Sequence, residues 1–151
     1  QYNLYNNIKM ADEQNSDFYI INNVLIINKY ETITKLYCNY MNISSIDLLN
    51  CIKLEHFDCS NNNISSIDLS NYVNLRMLQC PKNNISTIDL SSCVDLRELR
   101  CHRNKISLMN LSSCINLEYL YCCYNKILSI IKLKILKESY WNNIVIYQKK
   151  I

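Results

Sequence analysis

The nine cysteines of this 151-residue chain are the side chains with the widest choice of chemistry. Thiols can pair as disulfides, ligate a metal ion or act as nucleophiles. Eight of them, however, fall into two series whose members are separated by 21 residues or twice that number. The first series is Cys38, Cys59, Cys80, Cys101 and Cys122, and the second is Cys51, Cys93 and Cys114. Such series run along a repeating structure and do not converge on one point.

Burial explains these cysteines better than reactivity does. The two series predict small core positions, so we expect no metal, no cofactor and no disulfide. A metal site is the weaker alternative because the chain has no C-x-x-C pair. Many unpaired thiols suit a reducing compartment, and we expect the cytoplasm of a host cell or a virus-associated compartment. Cys123 lies outside both series, and we expect its thiol to face solvent and to react first with a thiol reagent.

No catalytic site can be assembled from the remaining residues. His56 and His102 lack a repeated serine, cysteine or carboxylate beside them from which a nucleophile and its base could be built. The chain also has no glycine, which excludes the Walker loop, the dinucleotide-binding fingerprint and the nucleophile elbow. We therefore predict that the chain is not an enzyme. Asparagine should supply most turns, because it is the non-glycine residue that best tolerates left-handed backbone.

A 21-residue repeat positions these side chains. Its copies are residues 33–53, 54–74, 75–95, 96–116 and 117–137, of which the first is the loosest. Numbered from the first residue of each copy, the template is L-x-x-L-x-C-x-x-N-x-I-x-x-I-D-L-S-x-C-x-N. A fixed period of this length indicates a solenoid of stacked units.

Each position of the template has a physical role. Positions 4 and 6 are apolar, as in Leu78 and Cys80, and this alternation predicts a short strand with one buried face. Positions 11, 14 and 16 add apolar side chains that must also face inward, so that each coil of chain wraps around its own core. Stacking coils at the roughly 4.8 Å spacing of paired strands joins these cores into one interior.

Position 9 is asparagine in the last four copies, and we predict a structural role for it. The series is Asn62, Asn83, Asn104 and Asn125, with Met41 at the same position of the first copy. A buried amide both donates and accepts hydrogen bonds, so it can pair backbone groups that a turn would leave without partners. We expect the asparagine series to begin with the second coil.

Leu75, Leu78, Cys80, Asn83 and Ile85 reproduce the hallmark L-x-x-L-x-L-x-x-N-x-L of the leucine-rich-repeat family, with cysteine replacing the third leucine and isoleucine the last. The chain resembles the short-repeat branch of that family, known from bacteria and from large DNA viruses such as insect poxviruses. The resemblance implies a short right-handed α/β-type horseshoe or arc. It further implies a parallel sheet on the concave face, extended or 3-10 segments on the convex face, and few or no α-helices. Its general functional implication is protein binding, without naming a partner.

The repeat divides the chain into three regions. We predict an N-terminal segment and cap over residues 1–32, five leucine-rich repeats over 33–137 and a C-terminal cap over 138–151. Caps are expected because an open solenoid exposes strand edges at both ends. Apolar runs on either side of Asn22 and Asn23 predict a hairpin or a pair of short strands, and residues 144–147 predict a strand. Residues 132–140 fit both the helical and the strand period.

Function should lie where the copies differ. Positions 2, 3, 5, 7 and 8 vary most and are predicted to lie on the strand and face solvent on the concave side. We predict that the partner is contacted by Tyr37, Tyr40, Arg76, Lys82, Arg97, Arg100, His102, Arg103, Tyr119, Tyr121 and Tyr124. Arginine and tyrosine contribute large, orientable contact area, whereas ordinary solvation of a sheet is the plain alternative explanation. Glu55, Asp58, Glu98 and Glu118 interrupt the basic residues and suit selective pairing with a patterned partner.

The sequence thus predicts a non-enzymatic module that binds a partner protein through the concave face. The alternatives are nucleic-acid binding through the Arg/Tyr-rich face and a structural subunit of a larger viral assembly. A net charge of +3 is too small to favour nucleic acid. We expect no membrane partner, since no apolar run is long enough to cross a bilayer. The oligomeric state stays open, as does the removal of a leader before Gln1.

Overall fold

The computed structural model describes residues 18–28, 31–48, 50–127, 129–131 and 145–147. Within these ranges the chain forms short β-strands and turns, and no α-helix is found there. The strands are β1 Phe18–Ile21, β2 Val24–Ile27, β3 Lys35–Tyr37, β4 Ser45–Ile46, β5 His56–Asp58, β6 Met77–Gln79, β7 Glu98–Arg100, β8 Leu108–Asn110, β9 Tyr119–Tyr121, β10 Ser129–Ile131 and β11 Val145–Tyr147. Six of them form one parallel sheet in the order β11-β9-β7-β6-β5-β3, called the main sheet below. The predicted solenoid is confirmed.

The repeat sets the register of the main sheet. Phe57 of β5 pairs with Leu78 of β6, which in turn pairs with Leu99 of β7. Position 4 of each coil therefore stacks on position 4 of the next. The ladder continues beyond the strand, because the backbone N–H of Cys59 donates to the carbonyl of Gln79 at 2.8 Å.

The inward positions of the template form one core. Phe57, Leu78 and Leu99 are at most 1% exposed. The five cysteines of the first series, at position 6, lie in the same interior and are also at most 1% exposed. Burial, assisted by the charge of Asp58, raises the pKa of Cys80 to about 12, so this thiol stays protonated and unreactive at neutral pH.

All nine cysteines are unpaired. Cys123, which we expected to face solvent, is half-buried, and its reactivity toward thiol reagents stays a prediction.

In the second cysteine series, at position 19, Tyr72 takes the place of a cysteine in the second copy. Its buried hydroxyl donates to the carbonyl of Leu48 in the previous coil, so Tyr72 links two coils on the side away from the main sheet.

Asn62 joins the first coil to the second. Its side-chain oxygen accepts hydrogen bonds from the backbone N–H groups of Met41 at 3.0 Å and Ile43 at 3.1 Å. Its amide nitrogen donates to the carbonyls of Cys38 at 2.8 Å and Cys59 at 2.9 Å. One side chain therefore pairs backbone N–H groups in the turn of the first coil and carbonyl groups at the strand ends of the first and second coils.

The same contacts recur along the rod. Asn83, Asn104 and Asn125 each accept from the position 11 N–H of the preceding coil at 3.0 Å. Each also donates to the position 6 carbonyl of that coil, at 2.8 to 2.9 Å. None of the three is more than 9% exposed. The structural role predicted for the position 9 asparagines, beginning with the second coil, is confirmed. We call Asn62, Asn83, Asn104 and Asn125 the asparagine ladder.

The turn after each strand has left-handed backbone at position 8. The residues are Tyr40, Asn61, Lys82, Arg103 and Tyr124, with φ between 54° and 59°. The expectation that asparagine supplies most turns is wrong here, since one of these five residues is asparagine. Left-handed backbone costs a non-glycine residue about 1 kcal/mol, and an inter-coil hydrogen bond offsets that cost: the N–H of Lys82 donates to the carbonyl of His102 at 3.0 Å.

The described parts of the two ends extend the stack. Of the two arrangements predicted at Asn22 and Asn23, the structure has the hairpin: β1 and β2 pair antiparallel, and β2 also pairs with β4 of the first coil. At the other end, β10 pairs with β8, and β11 extends the main sheet beside β9. The strand predicted at residues 144–147 is therefore present over 145–147, whereas residues 132–140 lie outside the described residues. The boundaries assigned to the caps stay predictions.

The described residues contain no helix with the length and apolar character that a bilayer crossing requires.

Replacing Asn62 with alanine should lower the free energy of unfolding by about 2 to 4 kcal/mol, because it leaves buried backbone groups of two coils without partners. The matched control is Asn63→Ala in the same coil, since the Asn63 side chain is exposed and hydrogen bonds to another exposed side chain, that of Asn42. The control should cost less than about 1 kcal/mol. Urea denaturation measures both, and equal losses in the two variants would contradict a structural asparagine ladder.

Candidate interaction surface

The main sheet has one face on the core and one face turned outward. Along β3, β5, β6, β7 and β9 the middle residue is buried, whereas the two flanking residues at positions 3 and 5 are exposed or half-buried. Position 2 precedes each strand, and positions 7 and 8 follow it. We call the outward side chains at these five positions the sheet face.

The structure places the eleven predicted residues on three parts of the sheet face: the strands, the residues just before them and the turns after them. Tyr37, Arg100, Tyr119 and Tyr121 lie on strands, Arg76 and Arg97 lie just before strands, and Tyr40, Lys82, His102, Arg103 and Tyr124 lie in the turns that follow. Parallel stacking brings residues 21 apart in sequence into neighbouring coils. The C-terminal members are therefore contiguous, whereas Tyr37 and Tyr40 lie at the far end of the sheet.

One part of the surface prediction is wrong. Positions 2, 7 and 8 are not on the strand, because the regular strand covers only positions 3 to 5 and the left-handed turn follows it. Position 7 is also not generally open to solvent. Ser60 is 7% exposed, Pro81 is buried and His102 is half-buried. The turn of the preceding coil lies against position 7, since its position 8 N–H donates to the position 7 carbonyl, as the N–H of Asn61 does to Pro81 at 2.9 Å.

Ion pairs across coils occupy the row at position 2. Arg76 lies 3.3 Å from Glu55, and Arg97 lies 3.8 Å from Glu118. Both pairs are largely exposed, so each contributes at most about 1 kcal/mol to stability. They do, however, give Arg76 and Arg97 carboxylate partners within the chain itself, which reduces what these two arginines offer to a ligand.

Arg100 stands at the centre of the C-terminal half of the sheet face. Its Nε donates to a carboxylate oxygen of Glu98 on the same strand. Its guanidinium also lies over the ring of Tyr121 in the next coil, 5.0 Å from the ring centroid. A second pair of this kind lies beside it, since the guanidinium of Arg103 is 5.2 Å from the ring centroid of Tyr124. Such cation–π contacts orient both partners.

The two arginines of these pairs lie near two further basic residues. We call the four residues, Lys82, Arg100, His102 and Arg103, the basic cluster. The hydrogen bond between the backbones of Lys82 and His102 shows that they occupy adjacent coils. Partial burial lowers the pKa of His102, and the positive charges of Arg103, Lys82 and Arg100 lower it further. Every charge that perturbs His102 is thus positive.

The N-terminal half of the sheet face has a different character. Asp58 accepts hydrogen bonds from the backbone and the hydroxyl of Ser60 in the turn that follows it. Tyr37 and Tyr40 are 51% and 68% exposed. A carboxylate and two exposed rings therefore mark this end, whereas the basic cluster lies at the other end, together with Glu98, Tyr121 and Tyr124. The described residues contain no group of three or more His, Cys, Asp or Glu side chains that could hold a metal ion.

Sequence reasoning selected these residues but not their pairing. The stacked pairs Arg100–Tyr121 and Arg103–Tyr124, and the ion pair Arg76–Glu55, all join residues 21 apart. The signal was therefore in the repeat, because the side chain one period away is the neighbour in the next coil.

Comparison with known proteins supports the architecture. A family profile described as leucine rich repeats (two copies) matches residues 31–71. Among solved structures, the chain is similar to the functional domain of InlJ from Listeria monocytogenes, which is described as including a cysteine ladder. The TM-score is 0.65 at 25% identity, over 78% of this chain and 30% of that chain. The fold is that of a leucine-rich-repeat protein.

The match spans less than a third of the length of the InlJ chain. A search of curated proteins finds no match. The position 6 cysteines stack along the rod of this leucine-rich-repeat fold, in keeping with the description of the InlJ domain.

The pKa of His102, measured by NMR titration, should lie below the ordinary value of 6.5. Replacing Arg103 with glutamine should raise it by removing a neighbouring positive charge. The control Lys105→Gln removes an exposed cation outside the basic cluster and should leave the pKa unchanged.

Protein stability should follow the same titration. Because folding lowers this pKa, the folded state binds the His102 proton less readily than the unfolded chain does. The free energy of unfolding should therefore fall as the pH drops below 6.5, and His102→Gln should remove that part of the fall. A His102 pKa at or above the ordinary value would contradict the assigned electrostatics.

Proposed function

We propose that this chain is a non-enzymatic protein-interaction module that binds a partner protein through the sheet face, the concave side of a leucine-rich-repeat solenoid. One observation carries the proposal. The repeat holds the core and the asparagine ladder nearly constant, whereas the sheet face differs from coil to coil and carries ordered arginine and tyrosine side chains. Leucine-rich repeats generally bind proteins, which supports the same function.

The physical properties of the sheet face favour binding. Arginine and tyrosine are enriched among residues that dominate interface energies, because they combine apolar area with hydrogen-bonding groups. Arg100 and Arg103 are already packed on tyrosine rings. Side chains that are ordered before binding lose less entropy when a partner docks.

Nucleic-acid binding is the less favoured alternative. One ring face of Tyr121 and one of Tyr124 already carry a guanidinium, which leaves less aromatic surface for the base stacking that single strands require. Arg76 and Arg97 also have carboxylate partners.

A structural role in a larger assembly is favoured by one observation. Position 20 carries an exposed aliphatic side chain in the first four copies: Ile52, Val73, Val94 and Ile115, at 40% to 54% exposure. This row lies outside the sheet face, so the two roles can be separated by mutation.

A viral or bacterial gene-family origin and a cytoplasmic, reducing compartment remain proposals. The unpaired cysteines support the reducing compartment.

Replacing Arg100 and Tyr121 together with alanine should abolish capture of the partner while the circular dichroism spectrum stays unchanged. The partner is identified first by pull-down from host extract with mass spectrometry, and its recombinant form is then used for capture. The matched control is Lys105→Ala with Lys126→Ala, which alters two exposed residues of adjacent coils outside the sheet face.

Retained capture by the Arg100/Tyr121 variant would contradict a site on the sheet face. If the Arg100/Tyr121 variant still captures the partner and the Val73→Lys variant does not, binding is assigned to the aliphatic row at position 20, which favours the structural role.

A further inference from the structure

We propose that the partner is recognised through an acidic segment, a run of aspartate or glutamate carboxylates that lies across Lys82, Arg100, His102 and Arg103. This inference rests on the proposed function and adds the chemical class of the ligand. Three independent features of the basic cluster support it: an excess of positive charge, pre-oriented guanidinium groups and the position of the acidic residues of the chain itself.

The first feature is uncompensated charge. Lys82 and Arg103 are exposed, and neither forms an ion pair with any carboxylate of the described residues. Arg100 has one carboxylate partner, Glu98. Cations held this close repel one another in the free protein. The positive charges of Arg103, Lys82 and Arg100 add to burial, the larger cause, in lowering the pKa of His102. Carboxylates supplied by a partner would relieve the repulsion, so binding stabilises the cluster.

The second feature is orientation. The guanidinium groups of Arg100 and Arg103 lie over tyrosine rings at 5.0 and 5.2 Å. A planar guanidinium presents a fork of N–H donors that matches both oxygens of a carboxylate. In addition, Lys82 and Arg103 stand on the left-handed turn, with φ of 54° and 57°, so each cation projects from a fixed backbone.

The third feature is where the chain places its own acids. Glu98 and Glu118 lie in the fourth and fifth coils, where they form ion pairs with Arg100 and Arg97. Glu55 and Asp58 lie in the second coil, outside the coils that hold the basic cluster. They would repel an acidic segment that bound at the N-terminal end of the sheet face. The charge distribution therefore favours one location, and the asymmetry would give the segment a defined register on the solenoid.

Fluorescence anisotropy of the full chain with a labelled peptide of alternating glutamate and serine tests the proposal. The wild-type chain should bind this peptide at low salt and should not bind the matching lysine–serine peptide. Lys82→Glu with Arg103→Glu should weaken binding about tenfold or more. The matched control, Lys105→Glu with Lys126→Glu, makes the same change in net charge outside the basic cluster and should weaken binding no more than about twofold.

NMR provides a second readout, because saturating glutamate peptide should raise the pKa of His102. If the charge-reversed variant fails to fold, Lys82→Gln with Arg103→Gln replaces it, with a smaller expected loss. Equal weakening in cluster and control variants would overturn the proposal, since attraction would then depend on net charge alone. Tighter binding of an oligonucleotide of equal charge would overturn it in favour of nucleic acid.

The failure of this inference can be distinguished from that of the proposed function. If the glutamate peptide does not bind but the Arg100/Tyr121 variant still loses the partner, the sheet face is the site and the acidic ligand is wrong. If the peptide does not bind and that variant keeps the partner, both proposals fail.

Discussion

Each coil of this protein is too small to enclose a core by itself, and the hydrogen bonds of the asparagine ladder join successive coils into one body. A coil must turn sharply after its strand, and the turn leaves backbone groups inside the protein. The side chain of Asn62 or Asn83 pairs those groups and connects them to the preceding coil. Buried cysteines fill the space beside the amide without adding a charge or a strong hydrogen-bonding requirement. The sheet face depends on this arrangement, because its residues stand on strands that the ladder aligns.

The absence of glycine makes the position 8 turn informative. Tyrosine, asparagine, lysine and arginine all adopt left-handed backbone there, so the inter-coil hydrogen bond and not the side chain determines the conformation. A position whose geometry is fixed by backbone contacts is free to vary in chemistry. Lys82 and Arg103 use that freedom to place cations beside the strand, and Tyr40 uses it to place an exposed ring.

The repeat was sufficient to predict the solenoid, the inward cysteines and the asparagine ladder, because each depends only on residue type at a fixed period. The apolar runs beside Asn22 and Asn23 predicted the two strands there but left open whether they form a hairpin. The burial of Ser60 and Pro81 was not predicted, because it depends on how the turn of the preceding coil packs against position 7. Side-chain pairing within the sheet face, such as Arg100 over Tyr121, depends on rotamers that a template does not specify.

Native-state hydrogen exchange tests most directly whether asparagine side chains hold the coils together. The amides of Ile64, Ile85 and Ile106 donate to ladder side chains of the next coil, whereas those of Cys59, Cys80 and Cys101 donate to backbone carbonyls of the main sheet. We predict that both sets exchange slowly and with similar opening free energies, as one cooperative unit. Rapid exchange of the three isoleucine amides, at the rate of an unstructured peptide while the cysteine amides stay protected, would contradict the account.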